Sequence, residues 1–159
     1  MRRYRSMLFN HVSGIPVSNI ESKQQWDFPN VWAPYNYWMV DYLRLTGRKD
    51  VALNIAQRFV NTVYHGWLRT NYIFEKYAAD ELGEYGGGGE YIVQEGFGWT
   101  NGVVIKFLDW FGDDIKLIEP EEKEAVQDLL LCGDECFEDL MHEPIERQMA
   151  DVEIKKFTS

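Results

Sequence analysis

Residues 50–67 read DVALNIAQRFVNTVYHGW and carry the clearest fold signal in the chain. Their apolar side chains recur at every fourth position, as Val51, Ile55, Phe59 and Val63. This spacing predicts an amphipathic α-helix, because residues four apart lie on the same face of a helix. Asp50 is expected to be its N-cap, since a carboxylate at that position accepts a hydrogen bond from the free amides of the first turn.

Apolar residues also recur at helical spacing in three further stretches, residues 35–46, 100–111 and 126–140. Gly47 is expected to end the first of them, because glycine readily takes the left-handed conformation that terminates helices. Strand-like alternation is scarce, and Ile92-Val93 is the only short strand candidate. The patterns therefore predict an all-α protein whose helices are joined by long loops.

The overall composition limits the classes of function. The chain has 159 residues, which is enough for one compact domain, and aromatic residues reach 15%. So many rings must fill a large core, line a ligand groove, or do both. The formal charge of −10 repels phosphate backbones, so we predict no nucleic-acid partner. No run of about 18 apolar residues is present, so we predict no transmembrane segment.

Charge divides the chain near Gly112. Residues 113–159 carry fifteen acidic and five basic residues, whereas residues 1–112 carry eleven of each. We therefore predict an aromatic-rich body at 1–112, without net charge, and an acidic helical tail at 113–159.

Four consecutive glycines, residues 86–89, interrupt the long loop between Asn71 and Gly98. Ordering so flexible a segment costs conformational entropy, so we expect four consecutive glycines to have a structural role. It is either a disordered linker or a place where the backbone passes close to another group. Aromatic and acidic residues bracket the glycines, whereas a linker is typically rich in Ser, Pro or Lys, and this favours close approach.

Residues 24–34, QQWDFPNVWAP, combine two Trp with Gln, Asp and Asn side chains on a backbone that two prolines restrain. Trp rings stack on the apolar C–H faces of sugars, and carboxylate and amide groups bind sugar hydroxyls. The loop is thus typical of a saccharide subsite. An equal alternative is that Trp26 and Trp32 fill the core while the polar groups cap a helix that begins near Pro34.

Two glutamates supply a second indication of carbohydrate chemistry. Glu75 lies among the aromatic residues of YIFEKY, residues 72–77, and Glu90 follows the glycines directly. A carboxylate beside apolar rings titrates unusually, which suits general acid or base catalysis. Inverting glycosidases hold two carboxylates about 6.5–9.5 Å apart, with room for the attacking water. The alternative for Glu75 is a surface glutamate paired with Lys76.

Other chemistries find little support. Three histidines show no spacing typical of a metal site: His11, His65 and His142. No Gly-Lys-Ser/Thr follows the glycine run, and no G-x-S-x-G sequence occurs. We therefore predict neither a metal site nor a cofactor.

Residues 25–34 resemble the second signature of the trehalases, the inverting glycoside hydrolases of family 37. Residues 86–91, GGGGEY, and residues 94–103, QEGFGWTNGV, are similar to the glycine-rich lid loop of that family and to the start of the next helix. The matches occur in the family's order and spacing, between about Gly14 and Gly112. The resemblance implies an (α/α)6 barrel and hydrolysis of α,α-trehalose to two glucoses with inversion.

The resemblance also implies residue roles. Glu75, in the Glu-Lys-Tyr stretch ahead of the glycines, matches the general base that activates water. Glu90 matches the lid-loop glutamate that binds the sugar. Trp26 and Asp27 fall in the motif beside the cleft and are expected to contact the sugar, so trehalose is the expected substrate.

The chain departs from the family pattern in ways that bear on activity. Val31 replaces a usual glycine, and Tyr35-Asn36-Tyr37 replaces the usual Pro-Leu-Gln. Nothing matches the first signature or the general-acid aspartate, and the helices are far fewer than the six pairs of a full barrel. The resemblance thus implies the C-terminal part of a trehalase: a partial (α/α)6 barrel that lacks its N-terminal helices and the general-acid half.

Two expectations follow for the isolated chain. Without the acid we expect little or no activity, because proton transfer of this kind contributes about 10²–10⁴-fold. Missing helices leave apolar surface uncovered, so we expect poor solubility or association with a partner that covers it. The alternative function is a non-catalytic carbohydrate-binding or regulatory fragment that keeps the aromatic sugar contacts.

Overall fold

Helices account for most of the regular structure in a computed structural model that describes residues 5–90 and 92–122, together with 125, 126, 128 and 130. In chain order the elements are α1 (Arg5–Phe9), β1 (Asn30–Trp32), α2 (Ala33–Leu45), α3 (Lys49–Thr70), β2 (Lys76–Ala78) and α4 (Gly98–Phe111). Helices α2, α3 and α4 pack against one another around a shared apolar core. The predicted all-α fold is confirmed in so far as helices dominate the described residues, although two short strands are also present. In this part of the chain, no helix has the length and apolar character needed to cross a bilayer.

The central helix α3 contains all of the predicted stretch and extends beyond both of its ends. Its predicted apolar face is buried, and Ile55 and Phe59 are inaccessible to solvent. Polar residues elsewhere on the helix are buried as well, since loops cover them. Thr62 Oγ1 accepts a hydrogen bond from the Gly83 amide at 2.7 Å, and Asn61 Nδ2 donates to the Lys116 carbonyl oxygen at 2.9 Å. The helix therefore anchors the loops that surround it.

The ends of the helices follow the sequence prediction only in part. α2 stops before Gly47, whose φ of 82° lies in the left-handed region, as predicted. Asp50 was predicted to be the N-cap of α3, and this is wrong because Arg48 occupies that position. Asp50 lies in the first turn instead, where a negative charge still interacts favourably with the helix dipole.

A short antiparallel sheet joins two loops that are distant in sequence. Strand β1 pairs with β2 so that Asn30 lies opposite Ala78 and Trp32 lies opposite Lys76. The residue pattern predicted neither strand, because each has only three residues and no alternation of apolar and polar side chains. The predicted strand at Ile92-Val93 is wrong, since neither residue is in a strand. The sheet matters for function because it places the tryptophan-containing loop beside the segment that carries Glu75.

The described start of the acidic segment packs against α3. Ile118 is buried, and its amide donates to Asn61 Oδ1 at 2.8 Å. The Lys116 amide donates to Gln57 Oε1 at 2.8 Å. The predicted tail helix at 126–140 lies almost wholly outside the described residues, and the division of the chain at residue 112 stays a prediction.

Candidate active site

The tryptophan loop, defined here as residues 18–32, is organised around the carboxylate of Asp27. Ser18 Oγ donates to this carboxylate at 2.8 Å, and Ser22 Oγ donates to its other oxygen. The hydrogen bonds from Ser22 and Ser18 lower the pKa of Asp27, against a smaller opposing effect of burial. The Asn30 side chain donates to the Asp27 carbonyl oxygen at 2.8 Å. The ionised carboxylate of Asp27 therefore stabilises the shape of the loop by accepting these hydrogen bonds.

Two tryptophans of this loop stack on each other, but only one is buried. The ring centroids of Trp26 and Trp32 lie 3.9 Å apart with an interplanar angle of 13°. Trp32 is fully buried and its Nε1 donates to the Gln25 carbonyl oxygen at 3.1 Å. Trp26 is 39% exposed. The core-filling alternative thus applies to Trp32, whereas Trp26 presents an aromatic surface to solvent.

Glu75 lies directly before β2 and is 4% exposed. Its amide donates to the Gln94 carbonyl oxygen at 2.9 Å, and its own carbonyl oxygen accepts a hydrogen bond from Trp99 Nε1 at 3.2 Å. The Trp99 ring in turn meets the Trp32 ring edge-on, with centroids 5.5 Å apart. The alternative of a surface glutamate is wrong, because Glu75 is buried beside these tryptophans.

The glycine loop, residues 86–89, passes close to the tryptophan loop. The Gly89 amide donates to the Lys23 carbonyl oxygen at 2.9 Å. Gly88 and Gly89 have φ angles of 77° and 86°, and a Cβ on Gly89 would lie 2.6 Å from the Cβ of Gln25. The predicted close approach is confirmed. Glycine is needed here because a side chain has neither the space nor the favourable backbone conformation.

Lys76 connects the two loops, a role that the residue pattern did not predict. It is 1% exposed, and its Nζ donates to carbonyl oxygens of both the tryptophan loop and the glycine loop. Burial lowers the pKa of Lys76, and the Glu75 carboxylate opposes part of this shift. The sequence signal for this role is a lysine inside an aromatic stretch. Its partners are backbone carbonyls, which every residue carries, so the residue types do not indicate them.

The structure thus joins the loops around Glu75 through Trp32, Trp99 and Lys76. The side chain of Trp26 is exposed at the outer side of this cluster, and Glu90 is exposed where the glycine loop ends. Within the part of the chain that the structure describes, no group of three or more His, Cys, Asp or Glu side chains is arranged to hold a metal ion. The arrangement combines a buried acidic residue, Glu75, with an exposed aromatic side chain, Trp26, and the two are linked through Trp99 and Trp32.

The amino-acid sequence also matches a known protein family. Residues 2–112 match the family model described as Trehalase. This chain belongs to the trehalase family. The matched range includes the tryptophan loop, Glu75, the glycine loop and α4.

Individual trehalases give the extent of the similarity. The chain is 39% identical to a trehalase of Bombyx mori over 125 residues, covering 77% of this chain and 22% of that protein. It is 44% identical to a periplasmic trehalase of Salmonella newport over 110 residues, covering 69% of this chain and 18% of that protein. The neutral trehalase Nth1 from Saccharomyces cerevisiae is similar in structure, with a TM-score of 0.49, 21% identity, and coverage of 92% of this chain and 24% of that one. The chain spans about one fifth of the length of these curated trehalases.

Proposed function

We propose that this chain is the base-carrying part of a trehalase, which hydrolyses α,α-trehalose to two glucoses with inversion. The observation that carries the proposal is the burial of Glu75 next to Trp99, whose ring meets Trp32, the stacking partner of the exposed Trp26. In such a reaction the carboxylate removes a proton from water, which attacks the anomeric carbon on the face opposite the leaving glucose. Trp26 and Glu90 bind the sugar. Asp27, to which the resemblance also assigns a sugar contact, instead keeps the tryptophan loop in place, because its carboxylate already accepts hydrogen bonds from Ser18 and Ser22.

The general acid of the reaction comes from polypeptide outside the segment matched here. The chain covers about one fifth of its curated relatives, so a complete trehalase of their length has further residues available for this role. We infer that residues 1–112 form the C-terminal part of an (α/α)6 barrel whose N-terminal helices lie outside these residues. Residues 113–159 are then an acidic helical appendage to that barrel.

One face of α2 supports this inference. Four large apolar residues on it are between 40% and 62% exposed: Tyr35, Trp38, Tyr42 and Leu45. Their spacing along α2 places them on a single side of the helix, away from the residues that it buries against α3 and α4. Further barrel helices would cover this apolar face, which we call the α2 stripe.

A chimeric enzyme tests the catalytic role of Glu75. This chain replaces the matching segment of the Bombyx mori trehalase, to which it is 39% identical, and glucose release from trehalose is measured. Glu75→Gln is expected to lower kcat by at least about 10²-fold, because the amide cannot accept the proton. The matched control is Glu84→Gln, which removes an exposed carboxylate paired with Arg69 and leaves kcat unchanged.

The outcomes separate the competing functions. A Glu75→Gln chimera as active as the control would overturn the proposed base. The isolated chain is expected to bind trehalose in calorimetry and to release no measurable glucose. If the isolated chain hydrolysed trehalose as fast as the chimera does, the general acid would have to lie within this chain, and the proposal would be wrong on that point. If the isolated chain binds trehalose and the Glu75→Gln chimera keeps its full activity, the chain is a carbohydrate-binding segment instead.

A further inference from the structure

The side chain of Lys76 has an environment that is unusual for a lysine. It is 1% exposed, and the Trp32 ring centroid lies 5.4 Å from its Nζ. The Nζ donates to the carbonyl oxygens of Gly87 at 2.8 Å, Gly88 at 3.3 Å and Gln25 at 3.3 Å. An ammonium group has three N–H donors, so three carbonyl oxygens match its capacity. Burying a charge is unfavourable unless it is paired in this way, so the site is specific for a cation.

The three carbonyls belong to two segments that are separate in the sequence. Gln25 lies in the tryptophan loop next to Trp26, whereas Gly87 and Gly88 lie in the glycine loop, just ahead of Glu90. Lys76 itself follows Glu75 directly. One side chain therefore connects the candidate base, the exposed tryptophan and the loop that ends at Glu90.

We propose that Lys76 is a positioning residue that locks the glycine loop onto the tryptophan loop and so fixes the geometry of the sugar site. The part of this inference that concerns sugar rests on the proposed function, whereas the locking of the loops does not. Lys76 acts through Gln25, Gly87 and Gly88, and it has no part in proton transfer because its donors are occupied. The lowered pKa of the lysine is consistent with the same burial.

The locking is tested on the full chain without sugar. Lys76→Met keeps the length and apolar stem of the side chain and removes the ammonium group. Amide hydrogen exchange at Gly89, whose N–H donates to Lys23, is expected to be about tenfold faster or more, while amides of α3 keep their protection. The control is Lys106→Met, which removes an exposed lysine 5.1 Å from the Trp110 ring centroid. It should change neither set of amides.

Two further variants keep the test decisive if Lys76→Met is poorly folded. Lys76→Gln retains an amide donor and should give intermediate exchange at Gly89. In Lys76→Ala, added propylammonium should restore slow exchange at Gly89, because it returns the three missing carbons and the cation. Wild-type exchange at Gly89 in all three variants would overturn the proposal. So would an equal loss of protection in α3, since Lys76 would then support the whole fold.

The sugar part is measured separately by calorimetry with trehalose. Lys76→Met is expected to weaken binding at least about tenfold at a temperature where its α3 amides stay protected, and Lys106→Met should bind as the wild type does. If the wild-type chain binds no trehalose, the proposed function fails while the exchange result still decides the locking. If exchange at Gly89 accelerates and trehalose affinity is unchanged, the positioning role is overturned.

Discussion

Tyr77 illustrates how burial changes the chemistry of a residue next to the candidate site. Its side chain is fully buried in β2, and its Oη accepts a hydrogen bond from the Phe74 amide at 3.0 Å. Burial raises the pKa of Tyr77 to about 12, since the phenolate is poorly solvated there. The residue therefore stays neutral beside Lys76 over the ordinary pH range.

This shift predicts a loss of stability in alkali. In the unfolded chain Tyr77 ionises near its usual pKa of about 10, so between pH 10 and about 12 only the folded state retains the proton. The free energy of unfolding is then expected to fall as pH rises through this window, by about 2–3 kcal/mol in total. Urea unfolding at a series of pH values, followed by tryptophan fluorescence, measures the slope.

Tyr77→Phe should remove this alkaline decline and cost about 1 kcal/mol at pH 8, because the buried Phe74 amide loses its acceptor. Tyr72→Phe is the control, since Tyr72 is 50% exposed. An alkaline decline of the same size in Tyr77→Phe and in the wild type would contradict this assignment.

At the level of single elements, the glycine loop keeps its shape because Gly88 and Gly89 both adopt positive φ angles. Gly89→Ala is expected to lower the free energy of unfolding by about 1–3 kcal/mol, because its φ of 86° is unfavourable for alanine and the new Cβ meets Gln25. Gly87→Ala is the matched control, since a Cβ there has no neighbour within 4 Å. Its effect should stay within about 0.5 kcal/mol. Equal urea midpoints for the two variants would show that the close approach is not needed.

The short helix α1 is held by a buried arginine of α3. Arg58 donates from its guanidinium to the carbonyl oxygens of Leu8 at 2.5 Å and His11 at 2.6 Å, and from Nε to Asn54 Oδ1 at 3.1 Å. A helix of five residues is too short to be stable by itself, so this contact orders it.

Arg58→Met is therefore expected to cost about 2–4 kcal/mol in urea unfolding, because it leaves the carbonyl oxygens of Leu8 and His11 without their donors. Amide exchange should also show lost protection at the Asn10 amide, which donates to Ser6 in α1. Lys106→Met, which breaks an exposed pair with Asp109, should cost at most about 1 kcal/mol. Retained protection at Asn10 in Arg58→Met would refute the anchoring role.

For the whole molecule, the α2 stripe predicts association. The chain by itself is expected to self-associate as its concentration rises, because the stripe is apolar and exposed. Trp38→Ser should reduce this association, as measured by sedimentation velocity. Trp67→Ser is the control, since Trp67 is 46% exposed on α3 and outside the stripe. A wild-type chain that sediments as a monomer at every concentration would contradict the prediction.

Local patterns predicted some of these features and missed others. The apolar spacing of residues 50–67 was sufficient to predict α3, because a helix forms its hydrogen bonds within one segment. The N-cap of α3 was predicted two residues too late, because the exact start of a helix depends on small differences in backbone geometry. The strands β1 and β2 were missed because three residues hold no periodicity, and their pairing partners lie far apart in the chain.

Residue types and their spacing were enough to identify the family, to locate the main helices and to predict a close approach at the glycines, because these features depend on the local order of residues. The folded chain was needed to show that Trp32 is buried while Trp26 is exposed, that Glu75 is enclosed, and that Lys76 joins two loops. Burial and hydrogen bonds to distant backbone carbonyls arise from packing between segments. Such contacts involve groups that every residue carries, so the order of side chains does not reveal them.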